Sequence, residues 1–264
     1  MKKILATDLD GTLLFPDKKK NHYGVREDDL LAIQNLHKDG VKVIVATGRN
    51  LQGVSFLEQI NLPYDYLVLS NGAFILDKKH KVIKSSTMGE KYINDIFNSY
   101  IKDHENQFVC VLQTGKNSYR LEYDYDGIED KYMYPIIPLS QLSQLNNNVV
   151  SMNIFPFSKN LHETIRLHEA ISEQYKDINV LRNTCFIDIV NKDVSKGNAI
   201  KHIMESKKLN KHDLYCIGDS WNDESMFQIT ENSFTFFHAE PEIQKLANNV
   251  VKNVSECIEL LRKK

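Results

Sequence analysis

Asp8 and Asp10 stand one residue apart at the end of the first apolar run of the chain, Ala6-Thr7-Asp8-Leu9-Asp10-Gly11-Thr12-Leu13-Leu14. A carboxylate removed from water is strongly unfavourable unless it is paired or metal-bound. In extended backbone, side chains two apart share a face, so both acids can serve one site. One carboxylate can attack phosphorus and form an aspartyl-phosphate. A second can protonate the leaving oxygen and later deprotonate water. Gly11 lets the chain turn sharply just after them. A calcium loop fails as an alternative, because the twelfth position counted from Asp8 is Lys19, not Glu. A role in capping or turns stays open.

A second acidic cluster follows the apolar run 213–218, in Gly218-Asp219-Ser220-Trp221-Asn222-Asp223. With Asp219 at a strand end and Asp223 in the first helical turn, both can lean toward one corner. Hard oxygen ligands suit Mg2+. Alternatively, Ser220 or Asp219 caps the helix and Asp223 complements its dipole. The calcium-loop test fails here too, since the sixth position is Glu224 rather than Gly. Beside Asp8 and Asp10 the metal reading gains weight, because like charges at one site need a cation. Thr47 offers a hydroxyl to a phosphoryl oxygen, or simply makes a strand-to-helix turn. Arg49 can pair with an acid or point at substrate. Lys196 opens a helix, where a cation opposes the dipole; that mismatch suggests it neutralises a nucleophile and a transferring phosphoryl group.

Something must carry these residues to one place. Residues 3–8 predict a strand, 25–39 a helix stopped by Gly40, 41–46 a strand apolar on nearly every residue, and 66–70 another. Strand alternating with helix marks a doubly wound parallel sheet. Each predicted strand end is small, polar or acidic: Asp8 to Thr12, Thr47-Gly48-Arg49, Ser70-Asn71-Gly72, and Gly218 to Asp223. Open α/β sheets bind ligands outside those ends. From residue 74 the pattern changes to a hairpin at 74–84, then antiparallel strands and two helices, and reverts after about 195. The reading is a Rossmann-like α/β core, residues 1–83 and 186–264, with an α+β cap inserted at 84–185.

Bulk properties exclude several function classes. The chain has 264 residues, 33 basic against 35 acidic, for a net charge of −2. No basic stripe for nucleic acid is present; Lys18-Lys19-Lys20 and Arg262-Lys263-Lys264 read as solvated charges. No run is long enough to span a membrane. The apolar stretch after Met1-Lys2-Lys3 meets an acid too early for a signal peptide. Cys110, Cys185, Cys216 and Cys257 lack metal or redox spacing and read as free thiols in a cytoplasmic protein. In that compartment the Asn253-Val254-Ser255 sequon carries no meaning.

Together, Asp8-Leu9-Asp10-Gly11-Thr12, Thr47, Lys196 and Gly218 to Asp223 resemble, in order and spacing, the haloacid dehalogenase (HAD) superfamily of phosphatases. "ATGR", "SNGA" and "SKGNAI" further resemble its Cof-like subgroup, whose cap lies between the second and third motifs. The resemblance implies Asp8 as nucleophile, Asp10 as general acid/base, and Thr47 and Lys196 on the phosphoryl group. It implies Mg2+ on Asp8, the backbone carbonyl of Asp10 and Asp219, supported by Asp223. Gly48, Arg49, Asn71, Gly72 and Asn222 would lie near substrate. The implied substrate is a small phosphorylated metabolite: a sugar phosphate, pyridoxal phosphate or FMN. Tyr119, Arg120, Lys131, Tyr132 and Arg182 are candidate cap contacts, and the chain is expected to be a monomer or weak homodimer. A phosphomutase of the phosphomannomutase type and a non-enzymatic phosphometabolite sensor are the competing readings.

Overall fold

The structure, a computed structural model, describes residues 3–17, 22–102, 107–122, 134–145, 148–158 and 160–263. Six strands form a parallel array in the order Asn249–Val251, Asn232–Phe236, Leu214–Ile217, Ile4–Thr7, Lys42–Ala46, Tyr66–Leu69. Two antiparallel strands, Phe74–Asp77 and Val82–Ser85, extend it at the Tyr66–Leu69 edge. The chain leaves Ile4–Thr7 toward one side and returns on the other. That strand is therefore the switch point of the sheet, where a crevice opens at the carboxyl ends.

Alternation along the strands buries both faces. Leu5, Val43, Val45 and Ile217 meet the helices Glu27–Lys38 and Val254–Lys263 on one side. Ile4, Ala6, Ile44 and Cys216 meet Ile200 and Ile203 of the helix Lys196–Ser206 on the other. Both faces covered is why these strands read as unbroken apolar runs.

The second sheet has the order Ile136–Pro138, Ser118–Glu122, Phe108–Gln113, Ser151–Pro156, Phe186–Asn191, Ile178–Asn183. Cys110, Leu112, Met152, Ile154, Ile187 and Ile189 point to one face, under the helical segments 90–101 and Leu161–Gln174. The alternate residues, among them Val111, Gln113, Asn153, Phe155 and Asp188, face the carboxyl ends of the first sheet and line one cavity there.

Three differences from the sequence reading have physical causes. Val82–Ser85, past the expected boundary at 83, stays in the first sheet as the hairpin partner of Phe74–Asp77. Phe186–Asn191, assigned to the core, belongs to the second sheet. It is the hairpin partner of Ile178–Asn183 and also pairs with Ser151–Pro156. Leu14–Asp17 pairs antiparallel with His22–Val25, an element the sequence pattern does not predict. No helix among the described residues is long and apolar enough to cross a membrane.

Candidate active site

Four loops at the carboxyl ends of the parallel strands converge. Asp8 follows Ile4–Thr7, and its backbone N–H still bonds Ile217 O across the sheet (2.9 Å). Lys196 is the first residue of its helix, capped by Ser195, whose hydroxyl accepts from Asn198 N (3.1 Å). Its side chain is fully buried. Lys196 Nζ donates to Asp8 Oδ1 and to Asp223 Oδ1, both at 2.6 Å. The other oxygen of Asp223 accepts from the N–H groups of Asp219 and Ser220, both at 3.0 Å. Asp219 Oδ1 accepts from the Thr12 hydroxyl (2.8 Å). Carboxylate oxygens of Asp8, Asp219 and Asp223 all lie within 4.8 Å of one another.

Two buried carboxylates, Asp8 and Asp223, thus share one ammonium, with the half-buried Asp219 beside them. Burial alone pushes the Lys196 ammonium down; the carboxylates of Asp223 and Asp8 reverse this and hold it well above the lysine range. Burial raises Asp8 well above the carboxylate range, with Lys196 opposing and Asp223, Asp219 and Asp10 adding. Burial and the Asp223 charge push Asp219 up to about 7, against the Thr12 hydrogen bond and Lys196. The excess negative charge and the all-oxygen donor set fit a small divalent cation. The backbone is shaped for this approach too. Gly11 has φ +84°, and a Cβ there would sit 2.3 Å from Asp219 Oδ2.

Asp10 points away from that cluster, to the cavity wall. Arg49 grips it with two bonds, Nε to Oδ2 (2.7 Å) and Nη2 to Oδ1 (2.6 Å), and also donates to Gly53 O (3.0 Å). Thr47 is buried, and its hydroxyl oxygen accepts from Arg49 N (3.1 Å). Asn71, in left-handed backbone (φ 54°), donates to Asp188 Oδ2 (2.6 Å) and accepts from Asn222 (3.0 Å). Asp8, Asp10, Thr47, Gly48, Arg49 and Asp219 line the cavity; Asn71, Gly72 and Asn222 do not. Gly72 has another task. Its φ is +102°, and a Cβ would lie 2.4 Å from Ser195 O, so it lets the Lys196 helix approach.

The second sheet supplies a side of the site that the sequence reading missed. Asn50 donates to the Ser118 hydroxyl (2.8 Å), and the Ser70 hydroxyl to Gln113 Oε1 (2.7 Å). Asp188 is buried and accepts from Asn71 and Asn153. Burial raises its carboxyl above the usual range, against those two amides. Its signal was available: an acid inside the apolar strand Phe186–Asn191, as with Asp8. Of the expected cap contacts, Tyr119 packs into the core of the second sheet, and neither it, Arg120 nor Arg182 lines the cavity. Arg182 instead makes a two-pronged pair with Glu240 (3.2 and 3.0 Å) and lies over the Trp221 ring. Lys131, Tyr132 and the run Lys18-Lys19-Lys20 lie outside the described residues.

A family model of haloacid dehalogenase-like hydrolases matches residues 5–257. A Streptococcus pyogenes protein, provisionally named a phosphatase, is 26% identical over 261 residues, covering 95% of this chain and 93% of its own. Phosphatase YwpJ of Bacillus subtilis is 23% identical over 269 residues, covering 93% and 90%. A solved sugar phosphatase described as HAD subclass IIB shares the fold, with a TM-score of 0.78 at 19% identity, covering 99% of this chain and 98% of that one. A solved haloacid dehalogenase-like hydrolase of Bacillus subtilis does so at 0.80 and 19%, covering 98% and 99%.

Proposed function

The chain belongs to the haloacid dehalogenase-like hydrolases, and from that premise we propose a Mg2+-dependent phosphatase acting on a small phosphorylated metabolite through an aspartyl-phosphate on Asp8. The observation that carries this reading is Lys196 bridging Asp8 and Asp223 beside Asp219, with Asp8 and Asp219 lining a cavity of about 560 Å3. The relatives named as phosphatases support it.

Asp8, Asp219 and the backbone carbonyl of Asp10 would hold Mg2+. Asp223 supports from behind, because both its oxygens already accept from Lys196 and from two backbone N–H groups. When bound, the ion offsets carboxylate charge and polarises the phosphoryl group. Lys196 fixes the Asp8 carboxylate and screens its charge from the incoming phosphate. Asp8 attacks phosphorus, and the ester oxygen leaves with a proton from Asp10. Asp10 then takes a proton from water, which attacks phosphorus, releases phosphate and restores Asp8. Thr47 donates its hydroxyl to a phosphoryl oxygen. Arg49 holds Asp10 until a phosphoryl group competes for the guanidinium, which frees Asp10 for proton transfer. Four cysteines set far apart, with no metal or redox spacing, support a cytoplasmic protein. We take it to work as a monomer or weak homodimer, without nucleic-acid or membrane partners.

The test is phosphate release from p-nitrophenyl phosphate. Turnover is expected to need Mg2+ and to fall about a thousandfold or more in Asp8→Asn. Full activity in that variant, or in excess chelator, overturns the mechanism.

A further inference from the structure

The loop that carries Asp219 and Asp223 is held from several directions. Asp219 accepts from the Thr12 hydroxyl (2.8 Å), Asn222 donates to Asn71 (3.0 Å), and Asp223 accepts from Lys196 (2.6 Å). Thr12, Asn71 and Lys196 all belong to the first sheet and its connections. Trp221, midway between the two acids, is held differently. Its side chain packs against Phe227, Ala239 and Ile243. Its Nε1 donates to Glu240 Oε2 (2.9 Å), and the Arg182 guanidinium lies over its ring, 5.1 Å from the centroid.

Arg182 reaches this loop from the second sheet, in the strand Ile178–Asn183. It is placed to hold, not to meet solvent or substrate. Its side chain is 10% exposed, it does not line the cavity, and its fork meets both oxygens of Glu240 (3.2 and 3.0 Å). A planar guanidinium can make a two-pronged bond and stack on a ring; an ammonium is a point charge that does neither as well. Glu240 Oε2 serves Arg182 and Trp221 together, so the three side chains close a triangle. Burial alone pushes the Glu240 carboxyl up; the hydrogen bonds from Arg182 and Trp221, with the guanidinium charge, hold it below the usual range. The indole is therefore fixed below by the apolar cluster, at its edge by Glu240 and over its ring by Arg182. Trp221 is two residues from Asp219 and two from Asp223, so a turn of its backbone passes to both.

Resting on the cation reading of the acidic cluster, we propose that Arg182 is a positioning residue of the cation site. With Glu240 it fixes Trp221, and through Trp221 the backbone that aims Asp219 and Asp223. Charge alone predicts the opposite sign, since removing a guanidinium beside an acidic loop strengthens the binding of a divalent cation. A substrate contact predicts a third pattern, a higher KM with cation affinity unchanged.

Partners that orient metal ligands are typically worth about 10–100-fold in metal affinity. Arg182 acts through one further side chain, so Arg182→Ala is expected to weaken Mg2+ binding about five- to tenfold. The test is calorimetric Mg2+ titration, without ester, of wild type, Arg182→Ala, Trp221→Phe and the double variant. KM for p-nitrophenyl phosphate at saturating Mg2+ is measured beside it. Trp221→Phe keeps a ring on the apolar cluster and loses the Nε1 donor, and should weaken binding about threefold. The double variant should bind no more weakly than the weaker single one, because Arg182 acts through Trp221. A purely structural role lowers stability and leaves the Mg2+ affinity of the folded protein unchanged. Should Arg182→Ala fail to fold, Arg182→Lys, which keeps the charge without the fork, takes its place and is held to the same outcomes.

Three results overturn the proposal and leave the phosphatase reading intact: Mg2+ affinity of Arg182→Ala equal to or above wild type, losses that simply add in the double variant, or a raised KM alone. Absence of Mg2+ binding in wild type overturns the cation reading instead. Positioning is then decided in metal-free protein by amide exchange at Asp219 and Ser220, whose N–H groups bond Asp223 Oδ2. Exchange about fivefold faster in Arg182→Ala supports it, and wild-type rates overturn it.

Discussion

Lys196→Met separates a structural charge from a merely solvated one. The side chain is wholly buried and lies 2.6 Å from each of two carboxylates. Removing one member of a buried ionic cluster costs about 3–5 kcal/mol, because the remaining charges are left without a partner. At roughly 2–4 °C per kcal/mol for a chain near this size, the melting temperature should fall by about 6–20 °C. The sign of the pH dependence follows from the carboxylates. Burial already raises Asp8 and Asp219, and loss of the ammonium raises Asp8 further. A raised carboxyl contributes its stability at low pH and loses it as pH climbs through the folded value. The deficit should therefore be smaller at pH 5.5 than at pH 8. Urea unfolding of wild type, Lys196→Met and Lys196→Met/Asp223→Asn at both pH values measures it. The double variant should recover part of the loss, since neutralising Asp223 removes one stranded charge. A single variant within about 1 kcal/mol of wild type at pH 8, with no relief from Asp223→Asn, refutes the charge-cluster argument.

Asp219, pushed up to about 7, and Asp8, also raised by burial, give up protons when Mg2+ binds, so apparent Mg2+ affinity should rise as pH climbs from 5.5 to 7; a flat calorimetric profile over that range refutes this. Gly72→Ala forces a Cβ to 2.4 Å from Ser195 O at φ +102°. It should cost at least about 2 kcal/mol in urea unfolding, and an unchanged midpoint refutes the close approach. Arg182→Ala removes the guanidinium that joins Ile178–Asn183 to Glu240 and Trp221. It should cost only about 1 kcal/mol, because Glu240 is partly exposed. Amide exchange in Ile178–Asn183 should quicken while Ile4–Thr7 keeps its protection, and identical exchange in both strands refutes the clasp.

Asp8, Asp219 and Lys196 were legible because each breaks a local rule, an acid closing an apolar strand or a cation opening a helix. The parallel core was legible because strands covered on both faces cannot avoid being apolar. Other features depend on pairings far apart in the chain. Residue 185 ended the expected cap, yet Phe186–Asn191 turns back on Ile178–Asn183, and no composition change marks that hairpin. Gly72 reads as a phosphate-side glycine, whereas its space is taken by Ser195, more than a hundred residues later. The Arg182–Glu240 pair leaves no trace in spacing. Asp188 did leave one, and its meaning waited on the register that sets it beside Asn153.

Asn71 explains why binding and chemistry are hard to separate in this fold. It sits where the Tyr66–Leu69 strand ends, in left-handed backbone that asparagine tolerates better than most residues. One amide serves two partners, donating to Asp188 in the second sheet and accepting from Asn222 in the acidic loop. Both bonds set its orientation, Nδ2 toward Asp188 and Oδ1 toward Asn222. Any shift of Asn71 is then felt by Asn222, one residue before Asp223, the acid that holds Lys196 against Asp8. Side chains already in contact thus run from the second sheet through Asn71 and Asn222 to the loop whose Asp223 holds Lys196 against Asp8.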